Sequence, residues 1–474
     1  MTGTGFQGVA NPSRAYQRDE LVDSVLQKLS SNRFVIVQSP PASGKTTLLQ
    51  LIAYKCVRHN IVKKYIRLKK DQDPYETLML AGIDVMKNQV SWDGQAIIMI
   101  DDAQNAFWSD SNLTFWSNLM KDISLPERIR FIVASTYLIG GHDSPAEFAN
   151  FPRIAPDEML LSAANSLNFL VNFLKFPFSG CRPLVELIIE DCGGSIGALS
   201  IVEHQYKTRF YASNTPLSEQ KLIDYFISPQ LTLSMVRLFG SDTVLSTRLP
   251  VVIDLLYDKY VNIPDVSNIA ELKRYIKCGL LSREEAGMTK FTNAMSRRYF
   301  IHKMYPKTAT SNPLNTVELV LNSIGTMSAT TLRNSVVRGS FPKEAVFQHL
   351  MMGAMTSNLT AQTNVYPENS IVIGTDNTIQ GELDFFINGE LRWGIELLIE
   401  GRKLKEHRER FIGNGKYVAL GCRQFVVVDF RRQVPSKNIV NKDNLIIVTF
   451  TSDNYESVTC LLPDGTIHTI ELSN

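Results

Sequence analysis

The hydrophobic pattern of the first third of the chain alternates between two periods. Short continuous apolar runs are typical of buried strands, and apolar residues spaced three or four apart are typical of helices. Because strands that alternate with helices pack as a parallel sheet with right-handed crossovers, the pattern predicts a doubly wound α/β sheet. The predicted strands are residues 34–37, 65–68, 97–100 and 128–137, and the predicted helices are residues 14–29 and 74–87.

The segment between the first strand and the next helix, SPPASGKTT, has the chemistry of a phosphate-binding loop. Loop amides and the helix N-terminus would bind phosphate oxygens, a lysine would contact the β- and γ-phosphates, and a threonine hydroxyl would bind magnesium. The usual first glycine of GxxxxGK[ST] is a serine here, and two prolines restrict the loop backbone. The alternative is an ordinary surface loop. The predicted nucleotide-binding residues are Ser39, Pro40, Pro41, Ala42, Ser43, Gly44, Lys45, Thr46 and Thr47.

Polar residues follow two later strands. The strand at residues 97–100 ends in Asp101 and Asp102, about fifty residues after the loop. Asp101, at the carboxyl end of a parallel strand, is the predicted magnesium ligand together with Thr46. Asp102 is the predicted general base that polarises the attacking water. The strand at residues 128–137 ends in Ser135 and Thr136, which either sense the γ-phosphate or cap the strand.

Helical periodicity dominates residues 157–305. Within it, the segment DCGGSIGALSI at residues 191–201 predicts either a lid over the nucleotide or an interhelical turn. A helix at residues 272–281 and a hairpin turn at residues 285–287 are typical of a winged helix. Its Arg297 and Arg298 either contact DNA or lie in a packing module.

Residues 308–313 indicate a linker to a last domain with different chemistry. Helices at residues 316–337 and 342–355 are predicted to precede two strands joined by an Asn388–Gly389 turn. Asp384 and Glu396 on these strands would bind a divalent metal that aligns a water for attack on a phosphodiester, with Glu344 as a further metal ligand. The alternative is cross-strand surface charge.

The order of the remaining elements favours a restriction-endonuclease-like α/β fold of the PD-(D/E)xK superfamily. A basic helix at residues 402–411 is followed by predicted strands at residues 417–420, 425–430 and 445–450. Where that superfamily has a catalytic lysine, this chain has Leu398; losing such a charge-stabilising group costs about 2.7–4 kcal/mol of barrier. Lys403, Lys405 and His407 are the candidate replacements, and Lys403 is the predicted catalytic one.

Several of these segments resemble the Crinkler family: SPPASGKTT, IIMIDDAQ, FPKEAVFQH, the run from ELDFFINGELRWGIELL to the basic helix, and VVVDFR. The resemblance implies a P-loop NTPase joined to a PD-(D/E)xK-type nuclease. It also implies a secreted effector that acts on DNA in host nuclei; without it, a cytoplasmic or nuclear location is expected. Ile399 and Arg402 depart from the family pattern, which has an arginine and an acid at these positions.

Composition sets limits on these predictions. A chain of 474 residues with 44% apolar content is expected to hold roughly three domains. A net charge of +2 argues neither for nor against nucleic acid. Six widely spaced cysteines indicate reduced thiols, and neither a signal peptide nor a membrane span is expected. The predicted regions are an N-terminal tail and helix (1–30), the P-loop core (31–156), a helical lid with a winged-helix-like module (157–307) and the nuclease-like domain (312–474).

The sequence therefore predicts an NTPase that binds ATP or GTP with Mg²⁺ and is coupled to a nuclease using Mg²⁺ or Mn²⁺ on DNA. One alternative is a nucleotide-switched DNA- or protein-binding module with a degenerate, non-cleaving nuclease fold, which Leu398 favours. Another is a simple ATPase whose C-terminal part serves homo-oligomerisation.

Overall fold

The computed structural model divides into two compact units. The first comprises the described residues of Met1–Pro216, Ser234–Leu255 and Lys259–Phe300, and the second those of Leu217–Leu233, Leu256–Asp258 and Ile301–Asn474. The structure describes residues 15–56, 61–107, 110–121, 126–138, 145–210, 217–226, 228–239, 261–263, 270–283, 287–305, 307, 309–336, 341–360, 363–372, 379–388, 390–434 and 443–473.

A parallel sheet forms the centre of the first unit, which confirms the predicted α/β sheet. Within the described chain its strand order is β2-β5-β6-β1-β7, and every neighbouring pair is parallel. The strands of this region are β1 Phe34–Gln38, β2 Val62–Arg67, β3 Ile83–Asp84, β4 Gln89–Val90, β5 Ala96–Asp101, β6 Ile129–Ser135 and β7 Arg153–Ile154. Strands β3 and β4 form a separate antiparallel hairpin.

Helices fill the connections and continue beyond the sheet. Their bounds are α1 Asp19–Ser31, α2 Lys45–Lys55, α3 Pro74–Leu80, α4 Asp110–Lys121, α5 Ala163–Leu167, α6 Arg182–Cys192, α7 Ile196–Phe210, α8 Glu219–Phe226, α9 Pro229–Ser234, α10 Ala270–Lys277 and α11 Ala294–Met304. A π-helical turn, Asn168–Phe173, extends α5, and short 3₁₀ helices occur at Ala103–Ala106, Ala146–Asn150, Asp157–Met159 and Met235–Leu238. None of the described helices has the length and apolar character needed to cross a lipid bilayer.

The core of the first unit holds the phosphate-loop segment in place. Leu48, Leu49 and Ile52 on α2 are buried in one cluster with Val35 and Val37 of β1. Burying an aliphatic side chain of this size contributes about 1.5–3 kcal/mol. Because the strand before the loop and the helix after it share this core, both ends of the loop are fixed.

The winged-helix-like module contains a small sheet. Strands β8 Val261–Asn262, β9 Leu281–Arg283 and β10 Met288–Phe291 pair antiparallel in the order β8-β10-β9. The preceding helix α10 ends at Lys277, short of the predicted residue 281, because Gly279 adopts a left-handed conformation with φ +82°. The predicted turn residue Glu285 lies outside the described residues.

A mixed sheet forms the centre of the second unit. In the described chain its order is β11-β12-β13-β14-β15-β16-β17. The pairs β13–β14 and β14–β15 are parallel and the others antiparallel. The strands are β11 Val365–Val372, β12 Ile379–Ile387, β13 Trp393–Ile399, β14 Gln424–Arg431, β15 Leu445–Phe450, β16 Ser457–Leu461 and β17 Ile467–Glu471. Besides α8 and most of α9, the described helices of this unit are α12 Thr316–Gly325, α13 Ala329–Ser335, α14 Glu344–Ser357 and α15 Leu404–Glu409.

Three local predictions for the second unit are wrong. The helix predicted at residues 316–337 is two helices, because the Ser328 side chain accepts a hydrogen bond from the Thr331 amide and starts α13. The strand predicted at residues 417–420 is a 3₁₀ turn, Val418–Leu420. The connection from β12 to β13 is longer than an Asn-Gly turn, since Ile387 pairs with Trp393; Gly389 itself lies outside the described residues.

Candidate functional site

The phosphate loop has the backbone geometry that an anion cradle needs. Gly44, which precedes α2, has φ +89°, and Ala42 has φ +57°. Left-handed residues within a loop turn successive amides toward one point, as in phosphate-binding nests. Pro40 and Pro41 contribute no N–H, so the donors come from residue 42 onward. The Ser39 and Ser43 hydroxyls are buried without a hydrogen-bond partner among the described atoms.

Lys45 lies folded back over this loop. Its Nζ donates to the Ser39 carbonyl at 2.6 Å and to the Pro40 carbonyl at 2.7 Å. Burial lowers the pKa of Lys45 to about 8, although the charges of Asp101 and Asp102 oppose this shift. Phosphate oxygens would supply the negative charge that this buried amine lacks.

Thr46 and Asp101 meet at the carboxyl end of β5. Thr46 Oγ1 donates to Asp101 Oδ2 at 2.6 Å, and the same oxygen accepts from the Tyr65 hydroxyl at 2.8 Å. Burial, followed by the Asp101 charge, raises the pKa of Tyr65, so the phenol stays a donor. A hydroxyl and a carboxylate are hard oxygen ligands that suit Mg²⁺, so this donor set fits the ion.

Asp102 is held by two other side chains. Its Oδ2 accepts from Arg67 Nε at 2.7 Å, and its Oδ1 accepts from Gln104 Nε2 at 3.2 Å. Gln104 Oε1 in turn accepts from the Thr136 amide at 3.1 Å. Asp102 has φ +54°, a left-handed conformation that is uncommon for residues other than glycine.

The structure favours capping for Ser135. Its side chain is fully buried, and its Oγ donates to the Tyr137 carbonyl at 2.9 Å. The predicted contact between Ser135 and a nucleotide is therefore not supported by its geometry. Thr136 reaches the site through its amide and Gln104.

The segment predicted as a lid is a turn between two helices. Gly193 and Gly194 are both left-handed and separate α6 from α7. The start of α7 lies against the loop. The backbone of Gly197 comes so close that an added Cβ would stand only 2.6 Å from the Ala42 carbonyl oxygen.

A small pocket adjoins the loop within the first unit. Ser39 and Ser43 line it from the loop, Ser195 from the start of α7, and Lys290 and Asn293 from the winged module. These side chains place hydroxyl, amine and amide groups beside the phosphate loop.

The winged module does not present Arg298 to solvent. Arg298 is buried and forms an ion pair with Asp191 at the end of α6. Of the two alternatives for Arg298, this burial favours the packing module over contact with DNA, because the guanidinium already has a carboxylate partner. Its neighbour Arg297 is half-buried.

Asp384 and Glu396 lie on neighbouring antiparallel strands of the second unit, β12 and β13. Asp384 Oδ2 accepts from the Leu397 amide at 2.6 Å, and its Oδ1 accepts from Gln348 on α14 at 2.8 Å. Burial and the charge of Glu396 raise the pKa of Asp384 well above its usual range, and Glu344 acts in the same direction. Glu344 itself is exposed at the start of α14.

Glu396 is buried among basic and phenolic side chains. Its Oε1 accepts from Arg410 at 2.7 Å, lies 2.7 Å from His407 Nδ1 and accepts weakly from Tyr417 at 3.4 Å. Its Oε2 is buried without a hydrogen-bond partner among the described atoms. Within the described residues, no group of three or more His, Cys, Asp or Glu side chains is arranged to hold a metal ion. As arranged, Glu344, Asp384 and Glu396 do not fit one.

The predicted lysine replacements point elsewhere. Lys403 and Lys405 are exposed and pair with Glu406 and Glu409, so the predicted catalytic role of Lys403 is not supported by its position. Leu398 is buried in an apolar cluster. The residues that the sequence reasoning missed are Tyr65, Arg67, Gln104, Arg410 and Tyr417. A signal existed for two of them: Tyr65 and Arg67 alternate on the strand next to β5, so both face the same side of the sheet.

Comparison with known proteins identifies the same region. Residues 16–138 match the model of a family described as nSTAND3, novel STAND NTPase 3. None of the curated proteins compared with this chain matches it. The matched residues contain the phosphate loop and four strands of the parallel sheet, so this part of the first unit is similar to an NTPase family. The resemblance to the Crinkler family and the fusion to a nuclease are not supported by these matches.

Several solved structures also match. A Walker-type ATPase of Pyrococcus abyssi has a TM-score of 0.39 and 13% identity, covering 60% of this chain and 95% of its own. A single-residue variant of Thermotoga maritima RuvB has a TM-score of 0.32 and 12% identity, with coverages of 57% and 89%. Domain III of the Thermotoga maritima replication initiation protein DnaA has a TM-score of 0.33 and 11% identity, with coverages of 45% and 93%.

Proposed function

We propose that the first unit binds ATP or GTP together with Mg²⁺ and hydrolyses it. The observation that supports this most directly is the convergence of three side chains at one edge of the parallel sheet. Lys45 folds over a left-handed loop, and Thr46 Oγ1 and Asp101 Oδ2 lie 2.6 Å apart beside it. Ligands bind at this edge, beyond the carboxyl ends of the strands, in open α/β sheets.

Each side chain has a role in this reaction. The loop amides and the α2 N-terminus bind phosphate oxygens, and Lys45 neutralises charge on the β- and γ-phosphates. Thr46 and Asp101 would hold Mg²⁺, which supplies charge neutralisation when bound. Asp102 orients a water and accepts its proton as the water oxygen bonds to the γ-phosphorus. The bond from the γ-phosphorus to the oxygen that bridges the β- and γ-phosphates breaks, and its electron pair leaves with the nucleoside diphosphate.

A matched pair of lysines on α2 tests nucleotide binding. Lys45→Ala is expected to weaken binding of fluorescent ATP by roughly tenfold or more, because it removes charge-assisted hydrogen bonds. Lys55→Ala is the control, since Lys55 is on the same helix and pairs with Asp23 at the surface. Equal affinity of both variants and wild type would overturn the proposal.

Asp102→Asn separates binding from hydrolysis. Because the amide cannot accept the proton, kcat for phosphate release is expected to fall about 10²–10⁴-fold. Affinity for the nucleotide is expected to stay close to that of wild type. A variant with unchanged kcat would remove Asp102 from the reaction.

We further propose that the second unit is a non-cleaving DNA- or protein-binding module that responds to the nucleotide. Glu396 Oε1 already has the charge of Arg410 beside it at 2.7 Å, which competes with a metal ion for that oxygen. Leu398 stands where the nuclease superfamily has a catalytic lysine, and its side chain has no charge to stabilise the transition state. Metal-dependent cleavage is the competing function; it would require the three acids to rearrange around an ion, and Glu396 Oε2, which has no hydrogen-bond partner among the described atoms, would be available to it.

A plasmid-nicking assay distinguishes these two functions. Wild type, Asp384→Ala and Lys45→Ala are incubated with supercoiled DNA and Mg²⁺ or Mn²⁺, with and without ATP. We expect no nicking in any lane. Nicking by wild type that Asp384→Ala abolishes would establish the nuclease, and the Lys45→Ala lane would then show whether nucleotide controls it.

A further inference from the structure

We infer that Arg67 is a positioning residue that restrains Asp102 away from the phosphate loop and so limits the rate of hydrolysis. The inference rests on the proposed NTPase function and assigns a regulatory contact within it. It concerns the ion pair between the end of β2 and the residue after β5.

Both oxygens of Asp102 are occupied. Arg67 Nε donates to Oδ2 at 2.7 Å, and Gln104 Nε2 donates to Oδ1 at 3.2 Å. The left-handed backbone at Asp102, φ +54°, fixes the direction in which the side chain leaves the strand. A carboxylate held in this way must give up the contact with the guanidinium before that oxygen can accept a hydrogen bond from a water.

The strand order gives the restraint a direction. In the order β2-β5-β6-β1-β7, strand β5 is next to β2, and β6 separates β5 from β1, the strand that leads into the phosphate loop. Arg67 is paired in register with Asp101, one residue before Asp102. The guanidinium therefore attracts Asp102 toward β2, on the side of β5 that is away from β1.

The restraint is weak enough to open during turnover. The side chains of Arg67 and Asp102 are 43% and 24% exposed, so water screens their attraction. Partly exposed pairs of this kind have small net energies. Breaking an ion pair of this energy changes the rate of hydrolysis by about two- to fivefold.

The test compares steady-state hydrolysis by wild type, Arg67→Gln and Arg67→Lys. Arg67→Gln is expected to raise kcat about two- to fivefold and leave KM unchanged, because it frees Asp102 without touching the nucleotide contacts. Arg67→Lys keeps the charge and is expected to behave as wild type. The control is Arg128→Gln, which removes another ion pair at the surface, with the fully exposed Asp93.

The outcomes separate this inference from the proposed function. A lower or unchanged kcat in Arg67→Gln, or a change confined to KM, would overturn the restraint. If wild type binds ATP without hydrolysing it and Arg67→Gln hydrolyses it, the restraint is supported. If both bind but neither hydrolyses, the restraint is overturned. If wild type fails to bind ATP or GTP in the fluorescence assay, the proposed function itself fails. Equal circular dichroism spectra and unfolding midpoints establish that the variants are folded.

Discussion

Each unit has a desolvated amine, Lys45 buried in the first and Lys307 half-buried in the second, and the described residues give each oxygen acceptors that are not carboxylates. Lys45 donates to two loop carbonyls in the first unit. Lys307 in the second unit donates to Asn364 Oδ1 at 2.6 Å and to the Thr363 carbonyl. A neutral amine has two N–H donors, which equals the number of acceptors that the described part of the chain presents to Lys307. Burial lowers the pKa of Lys307 to about 7.

Lys307 makes the stability of the second unit depend on pH. Below pH 7 the amine is protonated in both folded and unfolded states, and the buried charge is destabilising. Between pH 7 and its unfolded pKa of 10.5 the unfolded chain binds more protons, so stability rises with pH. Relative to Lys307→Met, the wild-type free energy of unfolding should increase by up to about 1.4 kcal/mol per pH unit from about pH 7 to 9.

Urea unfolding at several pH values, followed by Trp393 fluorescence, measures this difference. Lys405→Met, which changes an exposed lysine, is the control and should give a curve parallel to wild type. If Lys307→Met also parallels wild type, the amine is not the titrating group.

Single residues could be predicted from the sequence when a contiguous motif named them. Lys45, Thr46 and Asp101 belong to such motifs, and the structure brings them together. The alternation of β2 indicates the face on which Arg67 lies, but its pairing with Asp102 depends on the strand order. Arg410 gave no such signal, because its contact with Glu396 depends on how the residues after β13 fold back on the sheet. The exposed position of Lys403 could not be read from the sequence, because it depends on a left-handed residue, φ +55°, just before α15.

At the scale of elements, the buried runs were predictable and the exposed ones were not. Strands β1, β5, β6 and β15 are continuous apolar runs and lie where they were expected. Strand β11 was missed because its sequence, VYPENSIV, contains proline and polar residues. Proline is tolerated on an edge strand, where one side of the backbone needs no partner, and β11 lies at the edge of its sheet. The helix predicted at residues 74–87 ends at Leu80 because Gly82 is left-handed with φ +91°.

The start of helix α7 provides a prediction at this scale. A Cβ at Gly197 would stand 2.6 Å from the Ala42 carbonyl oxygen and 2.7 Å from the Ala42 Cβ, so Gly197→Ala must displace the phosphate loop. We expect a loss of about 1–3 kcal/mol in stability, as for other overpacked contacts, and weaker binding of fluorescent ATP.

Gly180→Ala is the matched control. A Cβ there meets nothing within 4 Å, so affinity and stability should stay near wild type. Equal ATP affinity in Gly197→Ala and Gly180→Ala would show that α7 does not support the loop.

The whole molecule consists of two units with separate sheets and cores. Units of this kind unfold as separate cooperative transitions unless they are coupled. Coupling is a free energy, typically about 1–3 kcal/mol, and a ligand of one unit then stabilises the other. The proposed nucleotide switch therefore requires that ATP stabilises both units.

Tryptophan positions allow the two transitions to be followed. The chain has four tryptophans, Trp92, Trp108, Trp116 and Trp393, and only the last lies beyond residue 300. The fluorescence of Trp393→Phe therefore reports on the first unit. The difference between the fluorescence of wild type and that of this variant reports on the second unit. ATP with Mg²⁺ at about 100 times Kd should raise the first transition by about 5–10 °C and the second by about 2 °C or more.

Lys45→Ala in both tryptophan backgrounds is the control and should abolish both shifts. A shift confined to the first unit would leave nucleotide binding intact and refute the switch. The units would then act independently.

The mixed sheet of the second unit also determines the order in which that unit can fold. The three antiparallel strands β11, β12 and β13, and likewise β15, β16 and β17, are neighbours in sequence, so each group can close quickly. The parallel pairs in the middle join distant positions, such as Trp393 with Gln424. Closing such loops costs more entropy before any contact forms, so β13–β14 is expected to form last. Until then, the apolar strand β13, which bears Glu396, has an unpaired edge through which two folding chains can associate.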